Sequence, residues 1–139
     1  RNVQLLLPTD SRTVQDSDRP ATLKVFPIGE IPDDREGVDI GPETEKLFSA
    51  ALRDAKTVFW NGPLGKFERP EYASGTFSFA RALAECGAVK VVGGGDSVSA
   101  VIGAGVAGRM DHISTGGGAS MEFLEGKILP GVAALDDRT

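Results

Sequence analysis

The chain has 139 residues, 40% hydrophobic and 25% charged, close to the soluble globular average, which excludes a disordered or fibrous protein. Its net charge of −5 sets up a field that repels nucleic acid, anionic membranes and phosphorylated ligands alike, so any bound phosphate must be held by local groups. The lone cysteine, Cys86, and the lack of a Cys/His cluster at ligand spacing argue against a disulfide framework and a zinc site and suit a reducing, cytoplasmic setting. No apolar run approaches the roughly 20 residues of a membrane-spanning helix.

Arg1 leads at once into an apolar run without an initiating Met, which reads as a fragment beginning inside an established fold. That run, residues 3–7, ends at Pro8-Thr9-Asp10 and predicts a buried strand followed by a turn. Residues 22–26 predict a second strand. The polar stretches 10–20 and 31–38 are expected to be surface loops or small antiparallel pieces. Gly41-Pro42-Glu43 then opens a helix, because proline at the first helical position forfeits no needed hydrogen bond and acids suit the positive end of the dipole. Leu47, Phe48, Ala51, Leu52 and Ala55 supply its apolar stripe.

Thr57-Val58-Phe59-Trp60 predicts a strand, residues 61–70 a loop, Phe77, Ala80, Leu83 and Ala84 a helix ended by Gly87, and residues 89–92 another strand. From there one unit occurs twice. Val91-Val92-Gly93-Gly94-Gly95-Asp96-Ser97 leads into an apolar helical segment at 98–102, and Ile113-Ser114-Thr115-Gly116-Gly117-Gly118-Ala119-Ser120 leads into another at 121–124. Strands alternating with helices predict an α/β fold, a parallel sheet with helices on both faces and ligands beyond the carboxyl ends of its strands.

Glycine runs between strand and helix cost backbone entropy. Without side chains, the main chain can bring N–H groups and a helix N-terminus against an anion, answering how an acidic protein could hold phosphate. The competing reading is a tight turn with close packing; two runs in equivalent places favour phosphate. Asp96 either caps the helix or holds Mg2+ between phosphates. Ser97 either caps it or hydrogen-bonds a phosphate oxygen. In the loop Asn61-Gly62-Pro63-Leu64-Gly65-Lys66-Phe67-Glu68, Glu68 is either an exposed acid or an acceptor for ribose hydroxyls, and Lys66 reads as solvated.

Gly103-Ala104-Gly105-Val106-Ala107-Gly108 matches the dinucleotide fingerprint, but it follows a helical segment instead of a strand and so reads as a helix end and turn. His112, the single histidine, has no nucleophile or acid at catalytic spacing and reads as structural, and Cys86 as a small buried hydrophobe.

The segments Phe59 to Glu68, Val92 to Ser97 and His112 to Ser120, with Leu124-Glu125-Gly126-Lys127 and Leu129-Pro130-Gly131, closely resemble the phosphoglycerate kinase family in order and spacing. The resemblance implies a Rossmann-like, partial three-layer α/β/α domain. On this reading residues 1–139 form the latter part of the C-terminal nucleotide-binding domain of a two-domain kinase, and the N-terminal substrate domain is absent. The implied reaction is glycolytic phosphoryl transfer between 1,3-bisphosphoglycerate and Mg-ADP, giving 3-phosphoglycerate and ATP. Matching positions imply that Gly37, Asn61, Pro63 and Gly65 line the nucleoside pocket and that Glu68 binds ribose. Gly94, Gly95, Asp96 and Ser97 would hold phosphates, with Asp96 at the magnesium. Gly95, Gly117 and Gly118 would present N–H groups to the transferring phosphoryl. The basic residues that grip phosphoglycerate have no counterpart here, so the chain alone is expected to be inactive and its parent a cytoplasmic monomer. Readings from other classes are a non-catalytic nucleotide-binding module and an NAD-dependent oxidoreductase.

Overall fold

Residues 3–135 are described by a computed structural model. Its first sheet is built from polar sequence. Strands β1 (Asp10–Val14), β2 (Lys24–Pro27) and β3 (Glu36–Ile40) pair antiparallel in the order β2-β1-β3. The polar stretches are therefore the small antiparallel pieces, not the loops. The second predicted strand survives as β2, starting two residues later because Pro20–Thr22 form a 3-10 turn.

Residues 3–7 are a correction. They pair with no strand among the described residues, and Val3, Leu5 and Leu7 are 78%, 77% and 64% exposed. Hydrophobicity alone does not make a strand: its N–H and C=O groups need a neighbouring ladder, and none stands beside this run. Leu6 lies in a groove with Phe48, Leu52 and Phe79.

Helix α1 (Pro42–Leu52) leads into an alternating unit of β4 (Thr57–Asn61), α2 (Ser74–Glu85), β5 (Val89–Gly93), α3 (Gly95–Gly103), β6 (His112–Ser114) and α4 (Gly117–Leu124), with a final short turn of helix at Pro130–Ala133. The three strands are parallel in the order β4-β5-β6. One sheet face, through Trp60 and Val92, packs with Leu52 of α1, Ala80 and Leu83 of α2, and Ala100 and Val101 of α3. Complete burial of Leu83 contributes about 2 kcal/mol. On the other face Thr57, Phe59, Val91 and His112 border a cleft of about 450 Å3, walled by Ala119, Phe123 and Leu124 of α4. Helices thus flank both faces, as expected for this fold class.

The dinucleotide-like glycines fall at the end of α3. Val106 N–H donates to Val101 O and Gly105 N–H to Ile102 O, both at 2.9 Å, with Gly105 at φ +74°. This is the left-handed glycine termination of a helix, and it leaves no strand-to-helix turn for a pyrophosphate.

Helices α1 and α2 start without caps of their own, at Gly41 and Ala73. Carboxylates from the antiparallel sheet take the role. Asp10 Oδ2 accepts the N–H of Glu43 at 3.1 Å, and Asp10 Oδ1 accepts the Thr44 N–H at 2.8 Å and the Thr44 hydroxyl at 2.7 Å. Thr44 Oγ1 in turn accepts the N–H groups of Thr9 and Asp10. A Cβ at position 41 would lie 2.2 Å from the Asp10 carboxyl carbon, so glycine is needed there. Asp39 serves α2 in the same way, accepting the Gly75 N–H at 2.6 Å.

Thr44→Val removes a buried hydroxyl that both donates and accepts. We expect a loss of about 1–3 kcal/mol, read as a lower denaturant midpoint at unchanged slope. Burial pushes the Asp10 carboxyl upward, but the hydroxyl and N–H of Thr44 and the N–H of Glu43 outweigh it and hold the group below the ordinary 3.8. Its stabilising contribution is therefore present above that value and lost as pH falls through the lowered pKa, a window that Thr44→Val should narrow in acid titrations of stability.

Candidate functional site

The parallel register aligns the strand ends: Asn61 pairs with Gly93 and Gly93 with Ser114. Beyond this line the chain enters α3 and α4 through the two glycine runs, and the helices start inside the runs, at Gly95 and Gly117, earlier than the apolar segments suggested. Gly94 N–H donates to Ser114 O at 2.9 Å and joins one run to the other.

Individual glycines have different reasons. A Cβ at Gly94 would meet Asn61 Oδ1 at 2.7 Å, and φ there is +89°. A Cβ at Gly117 would meet Asn61 Oδ1 at 2.6 Å and Gly94 Cα at 2.9 Å. These two are required by mutual approach around the Asn61 amide. Gly95 and Gly118 are not: nothing lies within 4 Å of an added Cβ at either, so the space beside both residues is open.

The first intrahelical bonds run from Val98 N to Gly94 O and from Ser120 N to Gly116 O. The N–H groups of Gly95, Asp96 and Ser97, and those of Gly117, Gly118 and Ala119, thus stand ahead of the ladders, and neither helix has a side-chain cap. Two adjacent, uncapped helix N-termini concentrate positive potential where an anion would sit.

Asp96 is exposed at the second position of α3 and does not cap it. Ser97 does not cap it either: its hydroxyl is buried and accepts the Gly62 N–H at 2.6 Å, while its main-chain N–H is one of those ahead of the helical ladder. Among the described residues no group of three or more His, Cys, Asp or Glu side chains could hold a metal. A magnesium ion fits Asp96 only in the manner typical of that ion, through one carboxylate, waters and ligand phosphates.

The loop after β4 is fastened along its length. Besides Gly62 to Ser97, Leu64 N–H donates to Thr76 Oγ1 at 3.1 Å and Lys66 N–H to Val38 O at 2.8 Å. Trp60 Nε1 donates to Gly62 O at 2.7 Å. Gly65 abuts β3, where a Cβ would lie 2.5 Å from Asp39 Oδ1. Gly37 and Gly65 share a groove of about 270 Å3 with Ile40 and Leu64, and no residue of the glycine runs borders it. Pro63 is half-buried, Glu68 exposed, and Lys66 pairs with Glu36 at 2.9 Å on the surface. The structure therefore gathers Asn61, Gly94, Gly95, Gly117 and Gly118 in one place and Gly37 with Gly65 in another, with the loop running between them. His112 is exposed at the start of β6, and Cys86 packs half-buried against the main core.

Thr76, Asp39, Arg12 and Thr44 hold this frame and were not singled out by motif. An acid inside the apolar run Val38-Asp39-Ile40 was the available signal. The Asp39 side chain is fully buried, 3.5 Å from Arg12 Nη1. Burial pushes its carboxyl up to about 6 against the N–H of Gly75, Arg12 and the N–H of Ile40.

The phosphoglycerate kinase family model matches residues 1–127. The chain belongs to the phosphoglycerate kinase family. It is 55% identical over 141 residues to the chloroplastic phosphoglycerate kinase of Volvox carteri, covering 99% of this chain and 30% of that protein. With the phosphoglycerate kinase of Thermosynechococcus vestitus it shares 56% over 140 residues, 99% of this chain and 35% of that one. The structure of phosphoglycerate kinase from Coxiella burnetii superposes with a TM-score of 0.88 at 37% identity, covering 95% of this chain and 34% of that chain. That from Pyrococcus horikoshii gives 0.78 at 32%, covering 92% and 31%. The chain spans about a third of the length of the phosphoglycerate kinases it matches. No described helix is long and apolar enough to cross a membrane.

Two outcomes follow from this geometry. Gly117→Ala forces backbone and Asn61 apart and should cost about 1–3 kcal/mol, whereas Gly118→Ala enters open space in a first helical turn and should change stability by less than about 1 kcal/mol; thermal melts compare them. Asp39, whose folded pKa of about 6 lies above the ordinary 3.8, binds its proton more tightly in the fold. Stability should therefore fall as pH rises from 3.8 to about 6, a slope that Asp39→Asn removes, with the titration midpoint read by carboxyl NMR.

Proposed function

We propose that the protein carrying this chain transfers a phosphoryl group reversibly between 1,3-bisphosphoglycerate and Mg-ADP, giving 3-phosphoglycerate and ATP. The chain supplies the latter part of the C-terminal nucleotide-binding domain, and phosphoglycerate is held by an N-terminal domain outside it. We read the enzyme as a cytoplasmic monomer; the lone Cys86 suits a reducing compartment.

The observation that carries the reading is the pair of uncapped helix starts with open ground beside Gly95 and Gly118. In phosphoryl transfer, charge is spread over the equatorial oxygens, and catalysis is mostly positioning and electrostatic stabilisation. Main-chain N–H groups of Gly95, Gly117 and Gly118 suit those oxygens, because donors fixed by the helix backbone need little reorganisation during reaction. Gly94, Gly95, Asp96 and Ser97 take the nucleotide phosphates, Ser97 through its N–H. Asp96 is the residue that would hold magnesium, whose contribution when bound is to neutralise phosphate charge. Gly37, Asn61, Pro63 and Gly65 take the nucleoside and Glu68 the ribose hydroxyls; Gly37 and Gly65 already share one groove.

In the full-length enzyme, Asp96→Asn should lower kcat/KM for Mg-ADP by about 100-fold. Gly118→Ala should lower kcat about tenfold or more at nearly unchanged melting temperature. Steady-state kinetics in both directions, paired with thermal melts, would check this. An unaffected rate in Asp96→Asn would remove the metal role; an unaffected rate in Gly118→Ala would remove the phosphoryl role of α4.

A further inference from the structure

Asp39 has a second contact set that helix capping does not account for. Its Oδ1 accepts the Ile40 N–H at 2.9 Å and its Oδ2 the Gly75 N–H at 2.6 Å. Residue 76 follows directly, and the Thr76 hydroxyl receives the Leu64 N–H. Gly65 is pressed onto the same carboxylate, since a Cβ there would lie 2.5 Å from Oδ1. Val38 O, one residue before Asp39, receives the Lys66 N–H. Three consecutive loop residues, Leu64, Gly65 and Lys66, are thus placed by the carboxylate, by the helix turn it caps, or by its strand neighbour.

The carboxylate is itself held. Arg12 Nη1 stands 3.5 Å from Asp39 Oδ2 and 2.6 Å from Glu45 Oε1, and also donates to Ile40 O. Asp39 borders the groove shared by Gly37 and Gly65, but its side chain is fully buried, so the carboxylate is out of reach of a ligand arriving from solvent.

We propose that Asp39 is a positioning residue for the nucleotide loop: by capping α2 beneath Thr76 and abutting Gly65, it sets where residues 61–68 stand and thereby the affinity for nucleotide, without contacting it. This rests on the nucleotide reading of that loop. A purely structural cap behaves differently, and the molecule supplies one for comparison. The Asp10–Thr44 cap on α1 is built from the same chemistry, yet Thr44 has no bond to the loop.

The test uses the full-length enzyme with Asp39→Asn, Thr76→Val and, as the matched control, Thr44→Val. Asparagine keeps the size of Asp39 but presents an NH2 where one N–H needs an acceptor. In Asp39→Asn and Thr76→Val we expect the KM for Mg-ADP to rise about tenfold while kcat and the KM for 1,3-bisphosphoglycerate stay within about twofold. Amide exchange at Leu64 and Lys66 should quicken by about tenfold or more in both. Thr44→Val should lower the melting temperature comparably and move neither readout. If Asp39→Asn fails to fold, Thr76→Val reads the same chain of contacts. Equal rises in nucleotide KM for Thr76→Val and Thr44→Val, or unchanged exchange at Leu64 and Lys66, would overturn the proposal, as would faster exchange with an unchanged nucleotide KM. A wild-type enzyme that turned over no bisphosphoglycerate would instead sink the functional reading, and the exchange contrast would still decide what Asp39 does to the loop.

Discussion

A negative charge at the start of a helix is the interaction on which this molecule is organised, and it is used in two opposite ways. At α1 and α2 the anion is internal: Asp10 and Asp39, carried on the antiparallel sheet, occupy helix starts that have only Gly41 and Ala73 to cap them. At α3 and α4 no side chain fills the place. The first arrangement closes the structure by pinning the small sheet to the helical layer. The second leaves the first N–H groups of both helices without a side-chain partner, the arrangement on which the proposed phosphate contacts rest.

That division accounts for the handling of charge. A protein with net charge −5 would disfavour a phosphate ligand at long range, but dipoles and unpaired N–H groups act over the first turn of a helix, a shorter distance than the screening length of about 10 Å at moderate salt. Local donors can therefore prevail at contact. Asn61 is where the two helix starts meet. Its amide lies between Gly94 and Gly117, and the Gly94 to Ser114 bond carries the pairing of β5 and β6 past the strand ends. Glycine here serves two purposes that motif alone cannot separate, close backbone packing at 94 and 117 and open approach at 95 and 118.

Much of the parallel half was legible because hydrophobic periodicity drives it. The stripe on α1, the strands at Trp60 and Val92 and the glycine ends of the helices all follow from burial and backbone geometry read one segment at a time. The antiparallel half was harder. In β1 the sequence Asp-Ser-Arg-Thr-Val is almost wholly buried, held by side-chain hydrogen bonds such as Ser11 Oγ to Asp39 O and Arg35 Nε to Thr13 Oγ1. Such partners lie far along the chain, so composition read locally marks the stretch as loop. Residues 3–7 show the converse, an apolar run that pairs with no strand among the described residues. Ser97 is a third case: its type and place suit a phosphate contact, but burial turns its hydroxyl toward Gly62. The phosphoglycerate kinase motifs named the family; of the Asp39 frame beneath them the sequence showed only an acid in an apolar run, and its partners Gly75, Arg12 and Gly65 emerged in three dimensions.

The hydrogen bond from the Trp60 indole to Gly62 has an optical consequence. Trp60 is the sole tryptophan of the chain, with its ring edge-on to Phe79 at 5.2 Å between centroids and its N–H tied to the first turn of the loop. Indole emission responds to hydrogen bonding and to the polarity around the ring. Movement of Gly62 changes the first, while the packing of α2 maintains the second. The chain thus carries a built-in fluorophore fastened at one end to that loop and at the other to the core, so its emission reports on both where they meet.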